Sequence, residues 1–350
     1  MPESKNIELR LELLLKSIPF VSIQKIVPYE KKQQVSSDYS ATLDIHGETW
    51  VFKIMVGASG EIRFARLAIA ALKGLVDERK KQYGIFMAPY ISPEGAELLK
   101  ANGVGYADFA GNCLLSFGNV YVDKTGAKNP LKRQNIQNRI YSPRSSRVVR
   151  VLLHNPNRVW KVNDLAREAG ISIGQVSNVK KLLEDREWIT HDKSGIKLIK
   201  PLELLNDWSA NYSFKENSVY RFYSRKSIPE IESLLSSRDS DLSIESALTG
   251  FSAAARLKMN VRYNRAMIYI ERLDEELLKK WEFKEVESGA NINLFVPYDS
   301  GVFYGGEIID NQRVVSPVQT YLDLVNYAGR GEEAAEKILE EVIKKSWSEK

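Results

Sequence analysis

Cysteine is nearly absent: Cys113 is the single one in 350 residues. One thiol excludes an intrachain disulfide framework, and such cysteine usage points to a reducing, cytoplasmic location. Histidine is almost as scarce. His46, His154 and His191 lie far apart without ligand-like neighbours, so no metal site of recognisable spacing is expected. No apolar run is long enough to cross a bilayer. The N-terminal stretch "MPESKNIELRLELLLKSI" carries early acids where a signal peptide has basic residues. No serine–histidine–aspartate or cysteine–histidine set stands out, which leaves nucleophilic catalysis without candidates. The most localised absence is that of acid. From Lys124 to Asn163 there is no Asp or Glu, while Lys124, Lys128, Lys132, Arg133, Arg139, Arg144, Arg147, Arg150, Arg158 and Lys161 all fall there.

What is present is ordinary for a globular chain: 43% hydrophobic, 27% charged, net charge +5. The length argues for two or three domains. Leucines and isoleucines at helical spacing run from Glu3 to about Ile18. "SATLDIHG" (Ser40–Gly47) and "TWVFKIMV" (Thr49–Val56) read as a hairpin around a tight corner. "EIRFARLAIAALKGL" reads as a helix, "YGIFMAPY" as a buried strand, and "SPEGAELLKANG" as a helix with a signal at each end. "GYADFAG" and "NCLLSFGNVYVD" close the domain as strands, with Cys113 in the core. The division expected is an α/β domain over 1–125, a basic linker over 126–144, a helical module over 145–201 and a C-terminal α/β domain over 202–350. The class is α+β and multidomain. In the last part "SIPEIESLLSS", "DEELLKKWEF" and "GEEAAEKILEEVIKKSW" are helical, and "RAMIYIE", "NINLFVP" and "GVFYGGEII" extended.

The module over 145–201 has the pattern of a winged helix-turn-helix. "SSRVVRVLLHN" turns Val148, Val149, Leu152 and Leu153 inward, and "KVNDLAREAG" is a second helix that Asn163 can cap and Gly170 breaks. Ser172 caps a third helix, whose Val176, Val179, Leu182 and Leu183 face the core. That leaves Gln175, Ser177, Asn178 and Lys181 on the outer, N-terminal part, beside Gly174. Asn and Gln pair bidentately with adenine, and Lys reaches guanine or phosphate. "WITHDKSGIKLIK" then alternates around a turn and reads as a wing with Lys193 and Lys197. Arg144, Arg147 and Arg150 are suited to positioning a DNA backbone. A protein-interaction module without DNA binding is the plain alternative.

Asp44 on one strand and Lys53 on the next raise a second alternative, a metal-dependent nuclease of restriction-endonuclease type. Such sites hold a divalent metal between Asp and the acid of a Glu-x-Lys. Here Val51 stands two residues before Lys53, and valine cannot ligate a metal. The expectation is a nuclease-like fold without activity, with Asp44 and Lys53 as vestiges. "VGASGE" (Val56–Glu61) lacks the Lys and Ser/Thr of a phosphate loop. Asp239 and Asp241 resemble paired nucleotidyltransferase aspartates, without the Gly-Ser that precedes them.

Four stretches share a resemblance: "YGIFMAPYISPEGAELLKANGVGYADFAGN" (83–112), "SALTGFSAAARL" (246–257), "NLFVPYDSGVFYG" (293–305) and "VVSPVQTYLDLVNYAGRGEEAAEKIL" (314–339). With the helical module between them, they resemble the abortive-infection type IV antitoxin family, AbiEi-like transcriptional regulators. The resemblance implies a DNA-binding repressor of its own operon and a partner toxin of nucleotidyltransferase type. It leaves the C-terminal domain as partner-binding or itself nucleotidyltransferase-like. Members often carry Glu-x-Lys in the N-terminal domain, from which Val51 departs. In the shortest antitoxins the winged helix comes first, whereas residues 1–144 precede it here. The reading is a non-enzymatic regulator that binds double-stranded DNA as a homodimer, needs no cofactor or metal and contacts no membrane.

Overall fold

The computed structural model describes residues 9, 11–13, 15–16, 20–28, 38–127, 140–237, 244–325, 327 and 330–349. Most of the expected basic linker, the Asp239–Asp241 pair and Gly329 lie outside the described residues. The chain is α+β and divides into two units, one of residues 1–136 with 184–187, the other of 137–183 with 188–350. Apart from residues 184–187, the expected helical module falls in the second unit, as does the C-terminal domain.

In the first unit, seven strands form one sheet in sequence order. Strands β1 (Val21–Pro28), β2 (Tyr39–Ile45) and β3 (Glu48–Val56) run antiparallel. Strand β2 alternates as its sequence predicts, with Tyr39, Ala41, Leu43 and Ile45 buried. His46 and Gly47 both have positive φ, +52° and +79°, the geometry of a two-residue hairpin turn. Helix α1 (Ile62–Lys73) carries the chain to β4 (Gln82–Ala88), parallel to β3, and α2 (Pro93–Ala101) carries it to β5 (Gly105–Asp108), parallel to β4. Both helices form for local reasons. Ala65, Ala68, Ile69 and Leu72 make a buried stripe. Ser92 accepts from the Gly95 amide at 3.1 Å ahead of Pro93. Strands β6 (Cys113–Phe117) and β7 (Val120–Lys124) finish the sheet antiparallel. Alternate residues of β4 feed two cores: Phe86 packs with Leu72 and Leu99, while Tyr83, Ile85 and Met87 pack with Phe52, Phe117, Leu11 and Leu15.

The second unit opens with helices α3 (Pro143–His154), α4 (Val162–Ala169) and α5 (Ile173–Asp185), then the hairpin β8 (Ile189–His191) and β9 (Ile196–Leu198) and helix α6 (Pro201–Asn211). A mixed seven-stranded sheet follows. Its strands are β10 (Ser218–Tyr223), β11 (Ser246–Leu248), β12 (Ala266–Ile270), β13 (Lys284–Glu285), β14 (Ile292–Val296), β15 (Glu307–Ile309) and β16 (Gln312–Val314). Their order is β13-β10-β14-β12-β11-β16-β15. Helices α7 (Ile228–Ser236), α8 (Gly250–Arg256) and α9 (Glu275–Lys280) lie between strands; α10 (Pro317–Val325), α11 (Arg330–Ile338) and α12 (Lys344–Glu349) follow them. Phe222, Ile268, Ile292 and Leu294 face one core, Met267, Tyr269 and Phe295 the other. Among the described residues no helix is long and apolar enough to cross a membrane.

Two local expectations change. "GVFYGGEII" is not one strand. Asp299 accepts from the Gly301 amide at 2.8 Å and winds Ser300–Phe303 into a 3-10 turn, Gly305 turns at φ +69°, and only Glu307–Ile309 is extended. Asn163 does not cap α4. The helix begins at Val162 with Lys161 ahead of it, so Asn163 lies inside the first turn.

Candidate nucleic-acid interface

Helix α4 ends at Gly170, whose φ of +61° is the left-handed cap that reverses the chain into α5. The start of α5 is held by a reciprocal cap. The Ser172 hydroxyl accepts from the Gln175 amide at 3.3 Å, and Gln175 Oε1 accepts from the Ser172 amide at 3.2 Å. Gln175, expected on the outer face, is half-buried, and its amide oxygen is committed to this cap. Val176, Val179 and Leu183 are buried. Gly174, Ser177, Asn178 and Lys181 are exposed together along the other side, as the periodicity predicts.

The hairpin is tied to the segment before α4. Trp160 and Ile196 exchange two backbone hydrogen bonds, each 2.8 Å, so Trp160 extends the β8–β9 pair by a third short strand. The approach is close: a Cβ on Gly195 (φ +141°) would lie 2.5 Å from the Trp160 carbonyl oxygen. At the tip, Asp192 Oδ1 accepts from the Ser194 hydroxyl and, at 2.7 Å, from the Ser194 amide, and these bonds hold its carboxyl below the usual range. Lys193 is exposed at that tip and Lys197 on β9 opposite Thr190. Lys161 joins them, its amine donating to the Lys193 carbonyl at 2.7 Å. The Arg158 guanidinium stacks 3.8 Å over the Trp160 ring.

The arginines of α3 take three different environments. Arg144 is exposed, and with Arg147, Arg167, Gly170, Ser172 and Gln175 it lines a cleft of about 760 Å3 at the α4–α5 corner. Arg147 reaches the same cleft, but its Nε and Nη2 donate to the two oxygens of Asp299, each at 2.8 Å. These bonds raise its already high pKa. Arg150, expected to position a DNA backbone, is 4% exposed; it lies inside the protein, out of reach of phosphate. Its guanidinium sits 4.8 Å over the Trp208 ring and donates to Gln319 Oε1. Gln319 Nε2 donates in turn to Asp323 Oδ1 at 2.7 Å, which also accepts from the Tyr212 and Tyr269 hydroxyls at 2.6 and 3.0 Å; Thr249 donates to Oδ2. Burial raises the Asp323 pKa in spite of these bonds, and the Tyr212 and Tyr269 hydroxyls, buried beside it, are raised as well.

Other contacts grip the same two helices. Tyr304 donates to Glu168 at 2.9 Å, Trp347 Nε1 donates to the Leu153 carbonyl at 2.8 Å, and Gly305 admits the His154 ring where a Cβ would meet it at 2.6 Å. In the sequence, Tyr304 and Gly305 read as part of one extended stretch and Trp347 as part of the last helix. Their partners are far away in the chain, so periodicity carries no signal for them. Sequence reasoning also passed over Arg167, and over Ile173, which is exposed.

The structure does not bring Asp44 and Lys53 together. Asp44 pairs with Thr49, and Lys53 with Ser40. Four residue steps, about 13 Å, separate them along the ladder. Asp44 accepts from the Gly47 amide in the hairpin turn, Lys53 donates to Ser40 at 3.4 Å, and burial lowers the lysine pKa. Val51 lies opposite Thr42 between them. Among the described residues no group of three or more His, Cys, Asp and Glu side chains is placed to hold a metal ion.

Comparison with curated proteins gives no match, and neither does comparison with solved structures. A sequence family does match, over residues 197–344: transcriptional regulator, AbiEi antitoxin, type IV TA system. That span supplies Asp299, Tyr304, Gln319 and Asp323, the side chains that hold α3, α4 and the buried network, and over it the chain is similar to the AbiEi antitoxin family of transcriptional regulators.

Proposed function

We propose that this chain is a sequence-specific regulator that binds double-stranded DNA, an autorepressing antitoxin-type protein of a type IV toxin–antitoxin operon. In this reading α3 to α5 with β8 and β9 are a winged helix-turn-helix. Helix α5 enters the major groove, with Ser177, Asn178 and Lys181 toward base edges. The observation that carries it is the row of exposed short polar and basic side chains on a helix whose opposite side is core. Lys193 and Lys197 on the wing, and Arg144 and Arg167 in the cleft, supply phosphate contacts around it. The regulator acts as a homodimer on a two-fold operator, with a nucleotidyltransferase-like toxin as partner.

The N-terminal unit is then a restriction-endonuclease-like fold without the chemistry. The separation of Asp44 from Lys53, and Val51 between them, support a non-enzymatic reading. The test is binding to the DNA upstream of its own gene, against a scrambled duplex, across a salt series. Binding is expected to prefer the upstream duplex and to weaken steeply with salt. Asn178→Ala should lose the preference, and Lys197→Ala should weaken both duplexes alike with a shallower salt slope. Equal, weak binding to both duplexes, indifferent to either substitution, sinks the proposal.

A further inference from the structure

The exposed row on α5 begins with a hydrocarbon. Ile173, the first residue of the helix, is 53% exposed, whereas Val176, Val179 and Leu183 on the core side are at most 1% exposed. Four-residue steps place Ile173, Ser177 and Lys181 in one stripe, with Gly174 and Asn178 in the next. The flank beside Ile173 is open, since a Cβ on Gly174 would meet nothing within 4 Å. The position is also fixed, because the Ser172–Gln175 cap holds the turn that carries Ile173. A β-branched side chain on a fixed backbone has little rotamer freedom left to lose on binding.

An apolar side chain in such a row gains nothing from water. Its neighbours Ser177, Asn178 and Lys181 are hydrogen-bonding groups suited to base edges. Of the groups that a duplex presents in its major groove, the apolar one is the C5-methyl of thymine. We propose that Ile173 is a specificity-determining residue that reads a thymine methyl group. This rests on the reading of α5 as the helix that enters the groove. The operator therefore holds a thymine in each half-site at the base step met by the first turn of α5.

The experiment uses the full chain and a duplex selected by it from a random pool. Each thymine is replaced in turn by deoxyuridine, which removes the methyl and keeps every hydrogen-bonding group. Wild type should lose about four-fold in affinity at one thymine per half-site, the value of one buried methyl. Ile173→Ala should bind the parent duplex correspondingly less well and be indifferent to that replacement. Lys181→Ala should bind more weakly yet keep the deoxyuridine penalty. A wild type indifferent to every replacement, or an Ile173→Ala protein that keeps the full penalty, overturns the inference while the selected sequence leaves the DNA-reading helix standing. An oligomeric state altered by Ile173→Ala, with the deoxyuridine series flat, assigns the side chain to a protein contact and overturns it too. Failure to select any sequence removes both.

Discussion

Gly195 shows how much a single hydrogen atom can carry. Its φ of +141° and the Trp160 carbonyl 2.5 Å from where a Cβ would stand leave no space for alanine. Gly195→Ala should therefore cost about 2 kcal/mol or more, read from urea unfolding, because both a strained backbone and a displaced strand are imposed. Asp323 gives the other residue-level prediction. Its folded pKa is raised by burial, so the folded state holds the proton more tightly than the unfolded chain does. Its contribution is then complete below the ordinary carboxylate range and is lost as pH rises through the raised value. Asp323→Asn keeps an oxygen for the Tyr212, Tyr269 and Gln319 donors and removes the ionisation. Thermal melts across pH should show a shallower decline above the ordinary carboxylate range for Asp323→Asn than for wild type. An unchanged slope would show that the titration lies elsewhere.

At the level of elements, the start of α5 separates two duties that look alike in sequence. Gln175 and Asn178 are both amides on the third helix, but Gln175 closes the cap with Ser172 while Asn178 is exposed. Gln175→Ala should cost about 1 kcal/mol in stability, whereas Asn178→Ala should leave the melt unchanged and shift DNA selectivity. Paired melts and binding curves for the two proteins check this. The helices here were legible because their signal is local: Val148, Val149, Leu152 and Leu153 in α3, and Val176, Val179 and Leu183 in α5, repeat within a few residues and are all buried. So was the first hairpin, with alternation and a His-Gly turn on the page. The short strands β10, β11 and β16 were not anticipated. The longest of them has six residues, and each takes a partner distant in the chain, although β16 also pairs with β15 just before it. Arg150 was misplaced for the same reason. Nothing near it announces Gln319, 169 residues on, as the acceptor that makes its burial tolerable. The exposed side of α5 needed only the periodicity, whereas the roles of Gln175 and Arg147 needed the contacts.

On the scale of the whole molecule, the two units divide what the sequence divided in three places. Helix α3 explains why residues 145–183 and 188–201 form one body with the sheet that follows. Ser146, Val148, Val149, Arg150, Val151, Leu152 and Leu153 are all buried, more than a single face can account for. One side belongs to the three-helix module and the other to the elements that bring Asp299, Gln319 and Trp347. Asp299→Asn should therefore weaken folding by about 2 kcal/mol, as loss of a charge-assisted double hydrogen bond does. The same change should raise affinity for duplex DNA at low salt, because the Arg147 guanidinium in the cleft is no longer shared with a carboxylate. Denaturation and binding on one preparation test both signs at once. The shared guanidinium also makes Asp299 and a phosphate rivals for one cation, and rivalry of this kind is reciprocal. A partner that draws the loop at Asp299 away from Arg147 would tighten the grip on DNA by some factor, and DNA bound first would tighten the grip on that partner by the same factor. A toxin and an operator that never touch would then answer to each other through a single ion pair.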